Sequence, residues 1–395
     1  MKTQNRLHRR AVDPISTSIT ILIIASLLLF NVLPLIKILI QSFTDAGGTY
    51  SFGGYIRAFQ FKQNRDALVH TLVSSFSAAA IATVIGFIFA YCACYIKMRA
   101  KRFFNVIAIL PIISPPFSVA LSIILLFGNK GLITHTILGL ASNNIYGFGG
   151  LLFAQVFSFF PMAYLQLNGV LSTIDPSIEE AARDMGASRL QTFLKVTIPL
   201  SLPGIVNSFL LMFIKCAADF GNPMTIAGGY NTLATQIYYQ AVGGYELQRC
   251  TALAMLLLVL TMIVYLISKL FVEKRTFVTI TGKATRERTM IEEKHITIPL
   301  TVICCIFAVI VGVIYVMIPV VSFVKLWGIN YSLTFANYIE AWKIGKQALM
   351  DTVKLAVVTT PITGVIAMLM AFLIVRKKNP LNKPMEAVGM FGMIV

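Results

Sequence analysis

The chain has 395 residues, of which 57% are hydrophobic and only 12% charged, with a mean hydropathy of +0.79. That charged share is about half that of a soluble domain, which excludes a disordered chain, a collagen-like chain and an ordinary soluble enzyme. The net charge of +17 would suggest nucleic-acid binding in a soluble protein; in a chain this apolar it reflects basic residues gathered on one side of a bilayer, and no nucleic-acid partner is expected.

The expected fold class is all-α, a polytopic helical membrane protein. A helix needs about 20 apolar residues to cross the hydrocarbon core. Uncharged runs at or near that length are Ser16–Ile36, Thr71–Ile96, Phe103–Asn129, Ile145–Ile174, Thr251–Ser268, Ile296–Val324 and Leu355–Val375. A further run, Val196–Ile214, predicts a span over about Leu202–Phe220, and a ninth begins near Pro384. The first run is too long for a secretory h-region and lacks a small-x-small cleavage site.

With the N-terminus cytoplasmic, the inside segments carry 21 basic residues and the outside segments 8, alternating at every loop. This bias sets the orientation. The six cysteines have no metal-ligand spacing and read as small buried hydrophobes.

The chain also repeats itself. Tyr50-Ser51 recurs as Tyr331-Ser332, and Tyr55-Ile56-Arg57-Ala58-Phe59 as Tyr338-Ile339-Glu340-Ala341-Trp342. Ala67-Leu68 with Thr71 recurs as Ala348-Leu349 with Thr352, and Ala90-Tyr91 as Ala371-Phe372. Pro34 and Pro319 are expected to close the first span of each copy. The even number of intervening spans makes the repeat parallel, unlike the inverted repeats of secondary transporters. The second copy is expected to stop within its third span, which predicts an intact protein of roughly 560 residues. The domain division is an N-terminal tail, first span and outer segment (1–66), a first unit (67–271), a cytoplasmic linker (272–295), the first span and outer segment of the second copy (296–347) and a truncated second unit (348–395).

The inside stretch 175–199 predicts two short helices joined at a glycine. Asp175 is an N-cap with Pro176 at the first helical position, and Glu179 and Glu180 suit the positive helix end. Gly186 takes the left-handed stop, Ser188 and Gln191 form a capping box, and Pro199 with Pro203 end the second helix and begin the next span. Ala181-Ala182 leaves one face small enough for close approach.

The pattern Glu180-Ala181-Ala182, Gly186, Val196-x-Ile198-Pro199 resembles the EAA loop of permeases of binding-protein-dependent ABC importers (type I fold). The family ends the motif Ile-x-Leu-Pro; here Val and Ile stand in those places. The resemblance covers about Ala67–Phe271 as a full permease unit and Ala348–Val395 as part of a second. The tandem arrangement is similar to double-unit ferric-iron, phosphonate and thiamine permeases. The resemblance implies that the loop docks on a cytoplasmic ATPase, with Glu179, Glu180, Ala181, Ala182, Gly186 and Pro199 as coupling residues. It further implies two ATPase subunits that bind ATP-Mg, an extracytoplasmic solute-binding protein, and a place in the bacterial inner membrane. Ferric iron leads as solute, ahead of a phosphonate or thiamine.

For the translocation path, Lys215 and Asp219 stand four residues apart and could pair on one helix face, either lining the path or forming a structural ion pair. Pro111, Pro115 and Pro116 interrupt the third span, either freeing carbonyls for a polar path or only bending the helix. No G-x-x-x-x-G-K-[ST] loop is present, so no ATP site, cofactor or catalytic set is expected in this chain. The alternative function is a secondary transporter driven by an ion gradient.

Overall fold

The computed structural model describes residues 14–45, 47–98, 100–140, 145–243, 247–272, 288–377, 379–382, 384–386 and 388–389. The basic tail of residues 1–13, linker residues 273–287 and the end of the ninth apolar run lie outside them.

The described residues are almost wholly helical, and eight helical stretches are long and apolar enough to cross a membrane. The first comprises α1 (Pro14–Leu27) and α2 (Leu33–Phe43), continuous through a π-helical turn at Leu28–Val32. A short α3 (Gly53–Gln60) leads into α4 (Lys62–Tyr95). Next come α5 (Lys101–Ile113), α6 (Pro116–Phe127) and α7 (Phe148–Thr173). The loop helices α8 (Pro176–Asp184) and α9 (Arg189–Thr192) run through a π turn (Phe193–Thr197) into α10 (Ile198–Ala217). Then come α11 (Gly221–Ile226), α12 (Leu233–Gly243) and α13 (Leu247–Ile267). Beyond the linker, α14 (Lys294–Ser322), the antiparallel hairpin β1 (Val324–Leu326) and β2 (Asn330–Leu333), and α15 (Ala336–Arg376) complete the chain.

The centre of the core is the packing of α4 on α7. Ala78, Ala82, Gly86, Ala90 and Ala93 recur at nearly every fourth position of α4, and the alanines are buried. At Gly86 a Cβ would fall 2.7 Å from the Ala163 Cβ and the Tyr164 backbone nitrogen, so α7 approaches α4 as closely as a glycine permits. Small residues serve this purpose between membrane helices, where lipid is as apolar as leucine and close packing must supply the attraction. Phe157, Phe159 and Phe160 are buried in the same core.

Two proline expectations are corrected. Pro34 does not close the first span, and Pro199 with Pro203 does not end the second loop helix; each helix runs on. A proline ring clashes with the carbonyl of residue i−4. For Pro34 and Pro199 that residue is Phe30 or Lys195, and each lies in a π turn whose wider winding accommodates the ring. Pro319 likewise sits inside α14, which ends at Ser322.

α14 packs against α4, α5 and α6, burying Cys304, Ala308, Val311, Ile314 and Met317. Cys92 of α4 and Cys304 of α14 are both buried here, as free thiols. One local arrangement occurs twice, where α2 meets α3 and where α14 meets α15. The Ser42 and Tyr55 hydroxyls lie 2.9 Å apart, and those of Ser322 and Tyr338 2.7 Å apart. Phe43 meets Phe52 edge-on at 5.2 Å (85°), and Phe323 meets Phe335 at 5.4 Å (83°).

Candidate functional site: the 175–199 loop and the Asp219 turn

The local chemistry of the loop is as its sequence predicts. The Asp175 carboxylate accepts from the Ser177 amide at 3.0 Å and caps α8. Gly186 has φ +92°, and the Ala187 amide reaches back to the Ala182 carbonyl at 3.0 Å, stopping the helix. Ser188 and Gln191 cap α9 reciprocally, at 2.8 and 3.3 Å. These contacts make the loop a stiff pair of helical segments.

Its anchor is Glu179. The carboxylate is buried, and one oxygen accepts from the Tyr95 hydroxyl (2.8 Å) and the Thr197 hydroxyl (2.7 Å). The other lies 3.6 Å from Arg288 Nε, an ionic contact too long for a hydrogen bond. The Arg288 guanidinium stacks 3.9 Å above the Tyr95 ring and donates to the carbonyls of Leu171 (3.2 Å) and Ile174 (2.8 Å) at the C-terminal end of α7. A cation there satisfies carbonyls that the helix leaves open and complements the negative end of its dipole.

Ala182 is buried beside Glu179, whereas Ala181 is exposed, so only one alanine of the pair packs inside the chain. Glu180 accepts from Thr289 Oγ1 at 3.4 Å. Pro199 and Gly186 are exposed. On the outer side of α8, Ile178, Ala181 and Met185 follow i, i+3, i+7 spacing and are exposed, Met185 to 83%. Leu190 and Leu194 of the second segment are exposed as well.

The second predicted set is partly rearranged. Lys215 and Asp219 do not pair: α10 ends at Ala217, so their four-residue spacing is not a helical turn. Lys215 is exposed; Asp219 is buried. Its Oδ2 accepts from Gln155 Nε2 of α7 (3.2 Å) and Asn222 Nδ2 (3.0 Å), and Oδ1 accepts from the Asn222 amide (3.3 Å). Gln155 Nε2 also donates to the Cys216 carbonyl at 3.1 Å. The predicted third span is broken at Ser114-Pro115 into α5 and α6, while Pro111 stays inside α5. A Cβ at Gly221 would lie 3.5 Å from the Phe117 amide, so the Asp219 turn rests on the start of α6, next to the break. The Ser114 hydroxyl hydrogen-bonds Tyr315 of α14. Among the described residues no cluster of three or more His, Cys, Asp or Glu could hold a metal ion.

Residues 82–278 match the family described as binding-protein-dependent transport system inner membrane component. FbpB 1 of Haemophilus influenzae, described as a ferric transport system permease protein, is 32% identical over 380 residues, covering 93% of this chain and 60% of that protein. The ferric transport system permease protein FbpB of Actinobacillus pleuropneumoniae is 31% identical over 378 residues, covering 93% of this chain and 55% of that one. Over residues 82–278 the chain belongs to the binding-protein-dependent inner-membrane component family. It spans little more than half the length of these two relatives. The fold is that of a solved bacterial alginate ABC transporter chain, with TM-score 0.56 and 16% identity over 67% of this chain and 95% of that one.

In this inner-membrane component, sequence reasoning missed Tyr95, Thr197 and Arg288 around Glu179. Arg288 lies 109 residues further along the chain, and no local pattern marks it. The exposed apolar side of α8, formed by Ile178, Ala181 and Met185, follows helical spacing and could have been found from it.

Proposed function

We propose that this chain is the membrane-spanning part of an ABC importer for ferric iron, with a cytoplasmic ATPase docking on residues 175–199. The observation that carries the docking site is the loop's two-sidedness. Its inner side is pinned through Glu179, while its outer side offers Ile178, Ala181 and Met185. An exposed apolar stripe on a rigid element fits a protein partner. A pinned helix can pass on a rigid-body movement.

Iron as solute rests on the two ferric relatives, which each align with 93% of this chain. Iron is cargo here, delivered by an extracytoplasmic binding protein, and ATP-Mg is bound and hydrolysed by the partner subunits. The N-terminus is cytoplasmic in this scheme. The doubled Ser–Tyr and Phe–Phe arrangements at 42–55 and 322–338 support two parallel units in one protein, and thus two ATPase subunits. The Asp219 turn and the break at Ser114-Pro115 would form the gate on the path.

Glu180→Lys is the test of docking. Its charge is reversed on the loop without touching the Glu179 anchor. The variant is expected to reach the membrane at normal levels, fail to retain the ATPase on co-purification, and lose iron uptake by about tenfold or more, as for a charge reversal at an interface. Normal ATPase retention with normal uptake would refute docking at this loop.

A further inference from the structure

The linker that joins the two units does more than span a distance. Directly before α14, residues 288–293 run beside the inner ends of α4 and α7 and along the loop. The Ile291 amide donates to the Tyr95 carbonyl at 2.8 Å, and the Lys97 amide to the Ile291 carbonyl at 3.3 Å, a parallel bridge at the end of α4. Arg189 of α9 holds Glu293 through contacts of 2.6 and 2.7 Å. The Glu293 carboxyl is kept below the usual carboxylate range by its own backbone amide and by Arg189. Lys97 and Glu292 meet at 2.8 Å but are both well exposed, so this pair contributes little. Arg288 makes the deepest contact, with a side chain only 12% exposed.

We infer that residues 288–293 are a strap that ties the first unit's loop to the second unit's first helix, with Arg288 as its positioning residue. The inference rests on the loop being the ATPase docking site. Arg288 touches three elements at once: the Tyr95 ring on α4, two carbonyls ending α7, and Glu179 on α8. Moving α8 away from α4 and α7 would leave a buried cation without its anion, which is strongly unfavourable. The loop therefore moves together with the inner ends of α4 and α7. Glu293 is both the residue held by Arg189 and the N-cap position of α14, so no slack separates the loop from that helix. Movement imposed on one coupling loop is handed to the helix that opens the other unit.

The test uses the full-length transporter with its ATPase and binding protein in proteoliposomes, measuring ATP hydrolysed and iron transported in parallel. For Arg288→Gln, ATP hydrolysis is expected to continue while uptake falls, raising the ATP consumed per iron about five- to tenfold. Arg288→Lys, which keeps the charge but cannot span both carbonyls and the ring, should fall between. A purely structural role would lower hydrolysis and uptake together and leave the ratio unchanged, and that result overturns the proposal. Should Arg288→Gln not fold, the outer contact supplies the test. Arg189→Glu raises the ratio, and Arg189→Glu with Glu293→Arg restores it; an unchanged ratio in the single variant, or no restoration in the double, overturns the strap. Met185→Asp, on the exposed outer side of α8 and clear of residues 288–293, is run alongside and separates the two ideas. If it leaves ATPase assembly intact, docking itself is wrong. If it abolishes assembly while the strap variants keep the normal ratio, only the strap is wrong.

Discussion

Glu179→Ala is expected to give the largest loss of any single substitution in the 175–199 loop. The change strands the Arg288 guanidinium in a buried place and removes the acceptor of the Tyr95 and Thr197 hydroxyls. Breaking one half of a buried ion pair costs about 3–5 kcal/mol. The purified protein should melt several degrees lower, and uptake should fall below a tenth of normal even at temperatures where the protein remains folded. Glu179→Gln keeps an acceptor for the hydroxyls but not the charge, and should lie between. Pairing Glu179→Leu with Arg288→Met removes both charges, and the double variant should be less destabilised than the sum of its parts. Melting midpoints of the four proteins decide this. Additive losses would mean that Glu179 and Arg288 act separately.

The second large effect belongs to Asp219. Asp219→Ala leaves the Asn222 amide, Asn222 Nδ2 and Gln155 Nε2 without this carboxylate, although Gln155 keeps the Cys216 carbonyl and Asn222 keeps the Ser158 hydroxyl. Each buried polar group left unsatisfied costs about 1–3 kcal/mol. The turn that holds α11 against α6 should loosen, and uptake should fall at least about tenfold, a loss equivalent to 1.4 kcal/mol in the step it controls. Lys215→Ala, four residues earlier and exposed, should transport normally. Equal losses in both variants would restore the ion pair that the geometry denies. Uptake assays at matched membrane levels distinguish the two.

The contrast between these sites shows what sequence reasoning can reach. Asp175, Gly186, Ser188 and Gln191 act within a few residues of themselves, and their roles follow from capping chemistry alone. The membrane spans follow from length and hydropathy, which are properties of single segments. Lys215 and Asp219 went wrong because spacing predicts a shared face only while the helix continues, and α10 stops between them. Pro34 and Pro199 went wrong because a π turn can absorb a proline ring, and nothing in the local residues announces one. The Glu179 cluster draws on α4, α8, the π turn before α10 and the linker; its members meet only once the helices pack. Glu180, the glutamate of the motif, drew attention in the sequence, yet its neighbour Glu179 carries the internal anchor.

The central claim is that the outer side of residues 175–199 meets the ATPase, and cross-linking from Ala181 tests it most directly. Ala181 is small, exposed and placed between Ile178 and Met185, so Ala181→Cys adds a thiol without disturbing the buried side of α8. A short thiol-specific cross-linker applied to the assembled transporter is predicted to join this position to the ATPase subunit in high yield, and the yield should change with nucleotide. A matched cysteine at Asn330, in the hairpin beyond α14, should give no ATPase adduct. Failure of Ala181→Cys to reach the ATPase in a complex that still hydrolyses ATP and imports iron would contradict the account.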